Sequence, residues 1–159
     1  MSGIGIKKVS PSDVELLRST RLASLADAPD AFSATLVEAQ SRPPDWWATQ
    51  ASGSLGDNPC ATFVALTPDG VGVGMAAGVA QTDAIEIIQV WVAPPHRGTG
   101  LVDRLFAAIF DWSPHPRVDI AVASTNIRAL RAYERLGFGR VGERADGAEL
   151  VLTCRRGTR

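Results

Sequence analysis

A glycine-containing loop after an apolar strand is the first place in this sequence where chemistry can be expected. Arg97-Gly98-Thr99-Gly100 lies between the apolar run Ile85–Val92 and a segment of helical periodicity that begins at Leu101. Such a loop directs several backbone N–H groups toward one point, beside the positive end of a helix dipole, which is a geometry that binds phosphate. Its glycines let a pyrophosphate approach the backbone. Glycines also begin helices for steric reasons alone, so the pattern leaves both interpretations open.

Two better-known nucleotide motifs do not describe this loop. A P-loop needs a lysine and then a hydroxyl residue after its last glycine, whereas Gly100 is followed by Leu101 and Val102. The dinucleotide fingerprint needs three spaced glycines early in a parallel βαβ unit. Here only two occur, late in the chain.

A second polar pair follows one predicted strand later. Asn126 and Tyr133 are seven positions apart, so on a helix they share one face two turns apart. Tyr133 is the only tyrosine in the chain, and a phenol can protonate a departing thiolate. Asn126 can hydrogen-bond a ligand at the start of the helix. The alternatives are an asparagine that only caps its helix and a core tyrosine with a satisfied hydroxyl.

Glu86 is the single acid inside the run Ile85–Val92. A carboxylate in an apolar strand is costly unless it is paired, or unless its pKa is raised at a functional site. Glu86 is therefore either a general base that accepts a proton from a nucleophile, or a strand-end glutamate that faces solvent or pairs with an arginine. The sequence alone favours neither interpretation.

The elements that position these residues alternate between short apolar runs and stretches of helical periodicity. The order predicted is one strand, two helices, three strands, a helix, a strand, a helix and two strands. Strands are predicted at 4–9, 61–66, 71–81, 85–92, 118–123, 138–142 and 148–154, and helices at 11–27, 43–51, 98–112 and 126–136. This order indicates an α+β fold with a mixed sheet, and we expect one domain over residues 1–159.

Composition excludes several other classes of protein. The formal charge of −1 gives no attraction to nucleic acid or to anionic lipid. The small-apolar run at 71–80 is too short to span a bilayer, and the first residues lack the apolar core of a signal peptide. Cys60 and Cys154 lack metal-ligand spacing and are expected to be structural thiols. We therefore expect a cytoplasmic protein with no nucleic-acid or membrane partner and no metal.

Taken together, the loop and the later helix resemble the GNAT (GCN5-related N-acetyltransferase) superfamily. The segment Arg97-Gly98-Thr99-Gly100-Leu101-Val102 resembles its acetyl-CoA signature: Arg or Gln, two residues, Gly, one residue, then Gly or Ala. Val102 departs from that pattern and is expected to crowd the diphosphate or the packing of the helix. The segment Asn126–Phe138 resembles the family's second cofactor segment, with Asn126, Ala129, Tyr133 and the ending Leu136-Gly137-Phe138. The resemblance is strong from 85 to 138.

The resemblance implies a specific fold and site. The fold is a mixed central sheet of about seven strands flanked by about four helices, splayed to bind acetyl-CoA. Backbone groups at Val90, Trp91 and Val92 would pair with the pantetheine arm, although the Trp91 side chain is expected in the core. The loop 97–102 would bind the diphosphate, with Asn126, Ala129 and Tyr133 completing the cofactor site. Tyr133 would act as the acid, and Glu86, which matches the glutamate base of histone-type members, or a water wire would act as the base.

The function implied is direct transfer of the acetyl group of acetyl-CoA to a primary amine, with no covalent acyl-enzyme. The acceptor could be a peptide, amino acid, polyamine or antibiotic, and a homodimer is common in the family. Its pocket is expected from the first two helices and the last strands, with Phe32, Trp46 and Trp47 as candidate lining residues. Only one of two adjacent tryptophans on a helix can face inward, so one of them is expected in the core. The scattered acids Asp83, Glu143, Asp146 and Glu149 would attract a cationic amine or be ordinary surface residues. The alternative function is a non-catalytic CoA-binding sensor with the same fold.

Overall fold

An open, mixed β-sheet with helices packed on its faces organises the chain. The computed structural model describes residues 3–155 except 33 and 114. Its strands are β1 (Gly5–Lys8), β2 (Ser54–Leu55), β3 (Asn58–Leu66), β4 (Gly72–Ala80), β5 (Ile85–Val92), β6 (Arg117–Ala123), β7 (Gly139–Arg144) and β8 (Glu149–Arg155). Its α-helices are α1 (Val14–Asp27), α2 (Leu36–Gln40), α3 (Pro44–Ala51), α4 (Leu101–Trp112) and α5 (Ile127–Arg135).

The sheet confirms the predicted α+β class. Its strand order is β1-β3-β4-β5-β6-β8-β7, with β2 paired to β3 outside this path. Only the β5–β6 pairing is parallel among the described strands. The sequence prediction missed β2 and α2, which have two and five residues. Segments this short do not show a measurable periodicity, so the eighth strand and the fifth helix were not expected.

Close packing of α1 on the sheet depends on one glycine. Helix α1 lies against β4, and a Cβ placed on Gly72 would overlap the Thr20 side chain. The predicted helix start at residue 11 is a 3₁₀ turn, Pro11–Asp13, and α1 follows it directly at Val14. The N–H of Ser10 donates to Oδ2 of Asp13 at 2.9 Å and closes this turn. The sequence feature Ser-Pro-Ser-Asp thus fixes where α1 starts, and Gly72 fixes how near it comes.

Buried side chains form separate clusters on the two faces of the sheet. One cluster joins Ile85, Ile87 and Ile120 to Leu105 and Ile109 of α4. The other joins Met75 and Trp91 to Leu17 and Leu25 of α1 and to Trp47 of α3. Alternate residues of β5 therefore contribute to both clusters, as expected for a strand covered on both faces.

The tryptophan pair on α3 behaves as predicted. Trp47 is 1% exposed and lies in the core, whereas Trp46 is half-buried and packs against it edge-on, with ring centroids 4.8 Å apart. Only one member of an adjacent pair can face inward on a helix. Cys60 is buried and Cys154 half-buried, and neither is in a disulfide. Within the described part of the chain, no helix is both long and apolar enough to cross a membrane.

Candidate active site

A gap opens in the middle of the sheet, between β5 and β6. The parallel pairing of these strands covers only three positions, from Ile85 opposite Val118 to Ile87 opposite Ile120. Beyond Ile87 the two strands separate, while β5 stays paired to β4 as far as Val92. The splayed sheet that the sequence resemblance implied is therefore present, and the second half of β5 has one edge without a strand partner.

The gap starts at a bulge in β5. Two steps along β4, from Met75 to Ala77, are matched by three steps along β5, from Trp91 to Ile88. Gln89 lies inside this bulge with a φ of 58°, a left-handed conformation that is uncommon for a residue with a side chain. Such strain persists only where surrounding contacts hold it, and it concentrates at functional sites.

The side chain of Gln89 is held by a glutamine from α3. The amide nitrogen Nε2 of Gln50 donates to Oε1 of Gln89 at 2.9 Å and to the hydroxyl of Thr62 at 3.2 Å. Gln50 is 3% exposed. The buried amide thus ties α3 to the strained position of β5. Sequence reasoning missed this contact, because the two glutamines are 39 positions apart and neither belongs to a motif.

A cavity occupies the gap and is lined by several of the predicted site residues. Val90 lines it from β5, and Asn126 and Tyr133 line it from α5. The other lining residues are Ala31, Phe32, Ile87, Ile88, Gln89, Ile120, Ala121, Val122 and Ala123. Phe32 was expected in the acceptor pocket and lines this cavity. Neither Trp46 nor Trp47 does.

The Tyr133 ring is buried among aromatic side chains. It stacks on Phe106, with ring centroids 5.7 Å apart and planes inclined by 27°, and lies 6.2 Å from the ring of Phe138. The residue is 7% exposed, and this burial raises the pKa of the Tyr133 hydroxyl above its ordinary value. The phenol therefore remains protonated throughout the neutral range and can act as a donor toward the cavity.

Asn126 caps α5 with its side chain. Its Oδ1 accepts a hydrogen bond from the backbone N–H of Ala129 at 3.2 Å, which is the capping interpretation of this residue. The side-chain amide has two further donors, and the residue lines the cavity. Capping and ligand binding are therefore compatible, since they use opposite ends of one amide.

Backbone groups near the end of β5 face the open edge. The N–H of Ala93 donates to the carbonyl of Val73 at 2.8 Å, so these residues form a hydrogen-bonded pair. In an antiparallel ladder the next pair, Val92 opposite Gly74, is not hydrogen-bonded. The N–H and C=O of Val92 therefore point away from β4. Its carbonyl accepts from Nε of Arg97 at 2.9 Å.

Arg97 is fixed by the protein itself. Its Nη2 lies 2.6 Å from Oδ2 of Asp27, which also accepts from the indole N–H of Trp91 at 2.9 Å. This network joins the end of α1, the end of β5 and the beginning of the loop. The side chain of Arg97 thus positions the loop, and the prediction that residue 97 belongs to the cofactor site stays a prediction.

The loop that follows has the conformation expected of its glycines. Gly98 and Gly100 have φ values of 76° and 84°, and a Cβ on either would meet no atom within 4 Å. Both glycines are therefore needed for backbone conformation rather than for packing. The loop 97–100, which includes Thr99, is exposed. It leads into α4, whose first-turn N–H groups have no partner within a helix.

Val102 packs toward the core. Its half-buried side chain contacts the clusters that contain Leu101 and Leu105. The β-branched residue therefore occupies space beneath α4. Its effect on the affinity for the diphosphate stays a prediction.

Glu86 has a partner on a distant strand. Its Oε2 lies 3.3 Å from Nη1 of Arg144, and its Oε1 accepts from the side-chain amide of Gln81 at 3.4 Å. The carboxylate does not line the cavity. The structure thus forms the arginine pair that the sequence had left open as an alternative to a catalytic base.

A second cavity lies on the other side of α3. Lys8, Ser10, Ser52 and Cys60 are among its lining residues, and the glycine loop and α5 contribute none. Burial raises the pKa of the Cys60 thiol, so it is a poor nucleophile at neutral pH. No group of three or more His, Cys, Asp or Glu side chains in the described ranges could hold a metal ion.

Comparison with known proteins identifies the family. The acetyltransferase (GNAT) family profile matches residues 24–138, which is more than half of the chain. The protein belongs to the GNAT acetyltransferase family. No curated protein matches the chain significantly.

Solved structures share the fold at low sequence identity. The GNAT acetyltransferase from Streptococcus pneumoniae has a TM-score of 0.75 at 16% identity, covering 96% of this chain and 99% of that one. The PaiA N-acetyltransferase from Thermoplasma acidophilum, in complex with coenzyme A, has a TM-score of 0.74 at 16% identity, covering 96% and 98%. A variant of SpeG spermidine N-acetyltransferase from Vibrio cholerae has a TM-score of 0.67 at 17% identity, covering 98% and 95%.

Proposed function

We propose that this protein is an acetyl-CoA-dependent N-acetyltransferase that moves the acetyl group directly to a primary amine. The observation that carries the proposal is the cavity between β5 and β6, where the protonated Tyr133 hydroxyl shares one space with Val90 and Asn126. Family membership and a related structure with coenzyme A bound support the choice of donor.

The donor is proposed to lie along the open edge of β5. Backbone groups of Val90 and Val92 pair with the pantetheine arm as a neighbouring strand would, and the Asn126 amide donates to it. The exposed loop 97–100 and the first turn of α4 bind the diphosphate through backbone N–H groups. Leu101 and Ala129 support these segments from the core side.

The chemistry proposed needs no group beyond these residues and water. The neutral amine attacks the thioester carbonyl, the new C–N bond forms and the C–S bond breaks. A backbone N–H near Val92 polarises the carbonyl oxygen. Positioning of the amine and the thioester in the cavity supplies most of the rate acceleration. Tyr133 donates its proton to the departing sulfur and recovers a proton from water.

The proton lost by the amine is proposed to leave through water. Both oxygens of Glu86 already have partners, Arg144 and Gln81, and the carboxylate lies outside the cavity. A water chain from the gap therefore fits the geometry better than direct transfer to this carboxylate. Glu86 would then receive the proton only at the end of such a chain.

The decisive experiment measures CoA thiol release from acetyl-CoA with four groups of amines: peptides, amino acids, polyamines and aminoglycosides. Mass spectrometry then checks each reactive amine for one added acetyl group. We expect release above hydrolysis with at least one group, and a large loss of rate in Tyr133→Phe with unchanged CoA affinity. Saturable CoA binding with no release from any group would contradict the enzyme proposal and indicate a CoA sensor.

A further inference from the structure

An arginine lies on the buried face of α1. Leu17, Arg21 and Leu25 recur at intervals of four along this helix, and their exposed fractions are 0%, 6% and 1%. The two leucines pack in the cluster that contains Met75 and Trp91. Arginine is rarely buried to this extent without a paired charge, because its guanidinium is costly to remove from water.

Among the side chains that the structure describes, no carboxylate pairs with Arg21. The ion pairs among those residues are Lys7–Asp13, Arg18–Glu15, Arg97–Asp27, Arg117–Asp119 and Arg144–Glu86. Instead, Nη1 of Arg21 donates to the hydroxyl of Ser24 at 3.3 Å, and its guanidinium lies 4.5 Å from the ring centroid of Phe32. The other guanidinium nitrogens of Arg21 are not among the fully buried side-chain atoms that lack a partner, so they keep some contact with solvent.

A second guanidinium lies nearby. Arg42 is half-buried and stacks 4.0 Å from the ring centroid of Trp46. Burial and, to a smaller extent, repulsion from Arg42 together lower the pKa of Arg21 to about 10. Arg21 is still protonated at neutral pH, so two like charges lie close together. A bound anion would relieve both the repulsion and the unpaired burial.

Arg21 lies next to the catalytic gap. Phe32, over which Arg21 lies, is one of the residues that line the cavity with Tyr133. Arg21 therefore contacts a ring that lines the proposed reaction space, on the α1 side of the sheet. The Tyr133 side of the cavity carries the cofactor motif, so the α1 side is left for the acceptor.

We propose that Arg21, assisted by Arg42, binds a carboxylate of the acceptor, so that the acceptor is an amino acid or a similar amine-bearing acid. This inference rests on the proposed acetyltransferase function and names its substrate class. A guanidinium presents a planar fork that matches the two oxygens of a carboxylate. In this arrangement the carboxylate lies against the Arg21 guanidinium beside Phe32, and the amine lies toward the cavity that Phe32 lines.

The test compares acceptors that differ only in the carboxylate. Initial rates are measured with common L-amino acids, with their α-carboxamides and with spermidine. We expect kcat/KM to favour the best amino acid over its amide by roughly 10- to 100-fold, the value of charge-assisted hydrogen bonds. Arg21→Met should remove this preference, and Arg21→Lys should restore part of it.

Arg18→Met serves as the matched control, since Arg18 lies one turn earlier on α1 and is partly exposed beside Glu15. It should keep the preference for the carboxylate. Arg21→Met should also raise Tm by about 2–4 °C, because an apolar side chain replaces an unpaired buried charge. A purely structural arginine would instead lower Tm and reduce the rates with acids and amides equally.

Several outcomes would overturn the inference while leaving the enzyme intact. These are equal kcat/KM for acids and amides, preference for spermidine, or an effect of Arg21→Met confined to the KM of acetyl-CoA. If no amine is acetylated, the proposed function fails. The carboxylate site is then judged by calorimetric titration of the CoA-saturated protein with the same acids and amides. If the acids bind, the amides do not, and Arg21→Met abolishes the binding of the acids, the carboxylate site is supported. If the acids do not bind, the carboxylate site is overturned.

Discussion

The two sides of the cavity between β5 and β6 are built in different ways. In the proposed function, the segments 97–102 and 126–138 with the end of β5 form the cofactor side, and Arg21, Phe32 and Gln50 form the acceptor side. The cofactor side uses contiguous residues, backbone N–H groups and helix starts. The acceptor side uses single side chains from α1, α3 and the segment between α1 and α2. Contiguous segments can form a recognisable motif, whereas dispersed side chains meet only in the fold.

The two sides also differ in how they tolerate change. Backbone contacts on the cofactor side depend on conformation, as at Gly98 and Gly100. Contacts on the acceptor side depend on side-chain chemistry, as at Arg21. We therefore expect substitutions on the cofactor side to change the rate with every acceptor. Substitutions on the acceptor side should change which acceptor is used.

The largest effect is expected on the cofactor side, at Tyr133. Tyr133→Phe removes only the hydroxyl that protonates the departing thiolate, so kcat should fall by about 10²–10⁴-fold with every acceptor. The Kd for CoA, measured by calorimetry, should stay within about twofold. Thermal unfolding close to that of the wild type controls for folding. Unchanged kcat would remove Tyr133 from the mechanism.

The second-largest effect on activity is expected at Gln50. Its substitution tests whether the hydrogen bond between Gln50 and Gln89 links the two sides of the cavity. Gln50→Met keeps the shape of the side chain but loses the bond at 2.9 Å that holds the strained bulge. We expect kcat/KM for acetyl-CoA to fall by roughly fivefold, since the lost bond is worth about 1 kcal/mol and the bulge positions the proposed pantetheine edge.

A glycine at the bulge provides the control for that link. Gln89→Gly adopts the left-handed conformation without strain, so Gln50→Met should have little further effect in this background. Gln89→Ala keeps the backbone strain and loses the hydrogen bond, so its kcat/KM for acetyl-CoA should be lower than that of Gln89→Gly. If Gln50→Met lowers kcat/KM for acetyl-CoA as much with glycine at position 89 as with glutamine, the hydrogen bond between Gln50 and Gln89 does not act through the bulge.

A smaller effect is expected at Glu86. Because its carboxylate is already paired with Arg144 and lies outside the cavity, Glu86→Gln should lower kcat by less than about threefold, consistent with the loss of a partly exposed ion pair. The pH dependence of kcat should keep its acidic limb. A loss of two orders of magnitude together with that limb would make Glu86 the base.

The smallest effect is on stability at alkaline pH. Burial raises the pKa of Tyr133 in the folded state above that of the unfolded chain, which is about 10. Below that pH both states keep the proton and stability is unaffected. As pH rises above about 10, the unfolded chain ionises first, so stability falls by up to about 1.4 kcal/mol per pH unit. The difference between wild type and Tyr133→Phe in chemical denaturation isolates this loss.

The fold and the cofactor side could be predicted from the sequence because their signals are local. The helix predicted at 43–51 is Pro44–Ala51, and the hairpin of β3 and β4 was expected. Helix α2 was missed although its capping box, Thr35 with Glu38, is visible in the sequence. Five residues are too few to show a hydrophobic periodicity, and a capping box without such a periodicity does not predict a helix.

The remaining contacts had no local signal. The left-handed φ of Gln89 depends on a bond across 39 positions, and the partner of Glu86 is 58 positions away. Arg97 was predicted as part of the cofactor loop, and the contact that holds its side chain, Asp27, is 70 positions earlier. Arg21 was visible as an arginine in an apolar helical stripe. Its unpaired state could be known only once the surrounding charges were placed.

The measurement that most directly tests the account is a titration of the isotope-labelled protein with CoA, followed by amide NMR. We predict saturable shifts at Val90 and Asn126, which line the cavity in the gap, and at Val92 and the loop 97–102, the other proposed contacts of CoA. The second cavity, near Ser52 and Cys60, should remain unaffected. Shifts confined to that second cavity, or no saturable shifts at all, would contradict the assignment of the gap between β5 and β6 as the acetyl-CoA site.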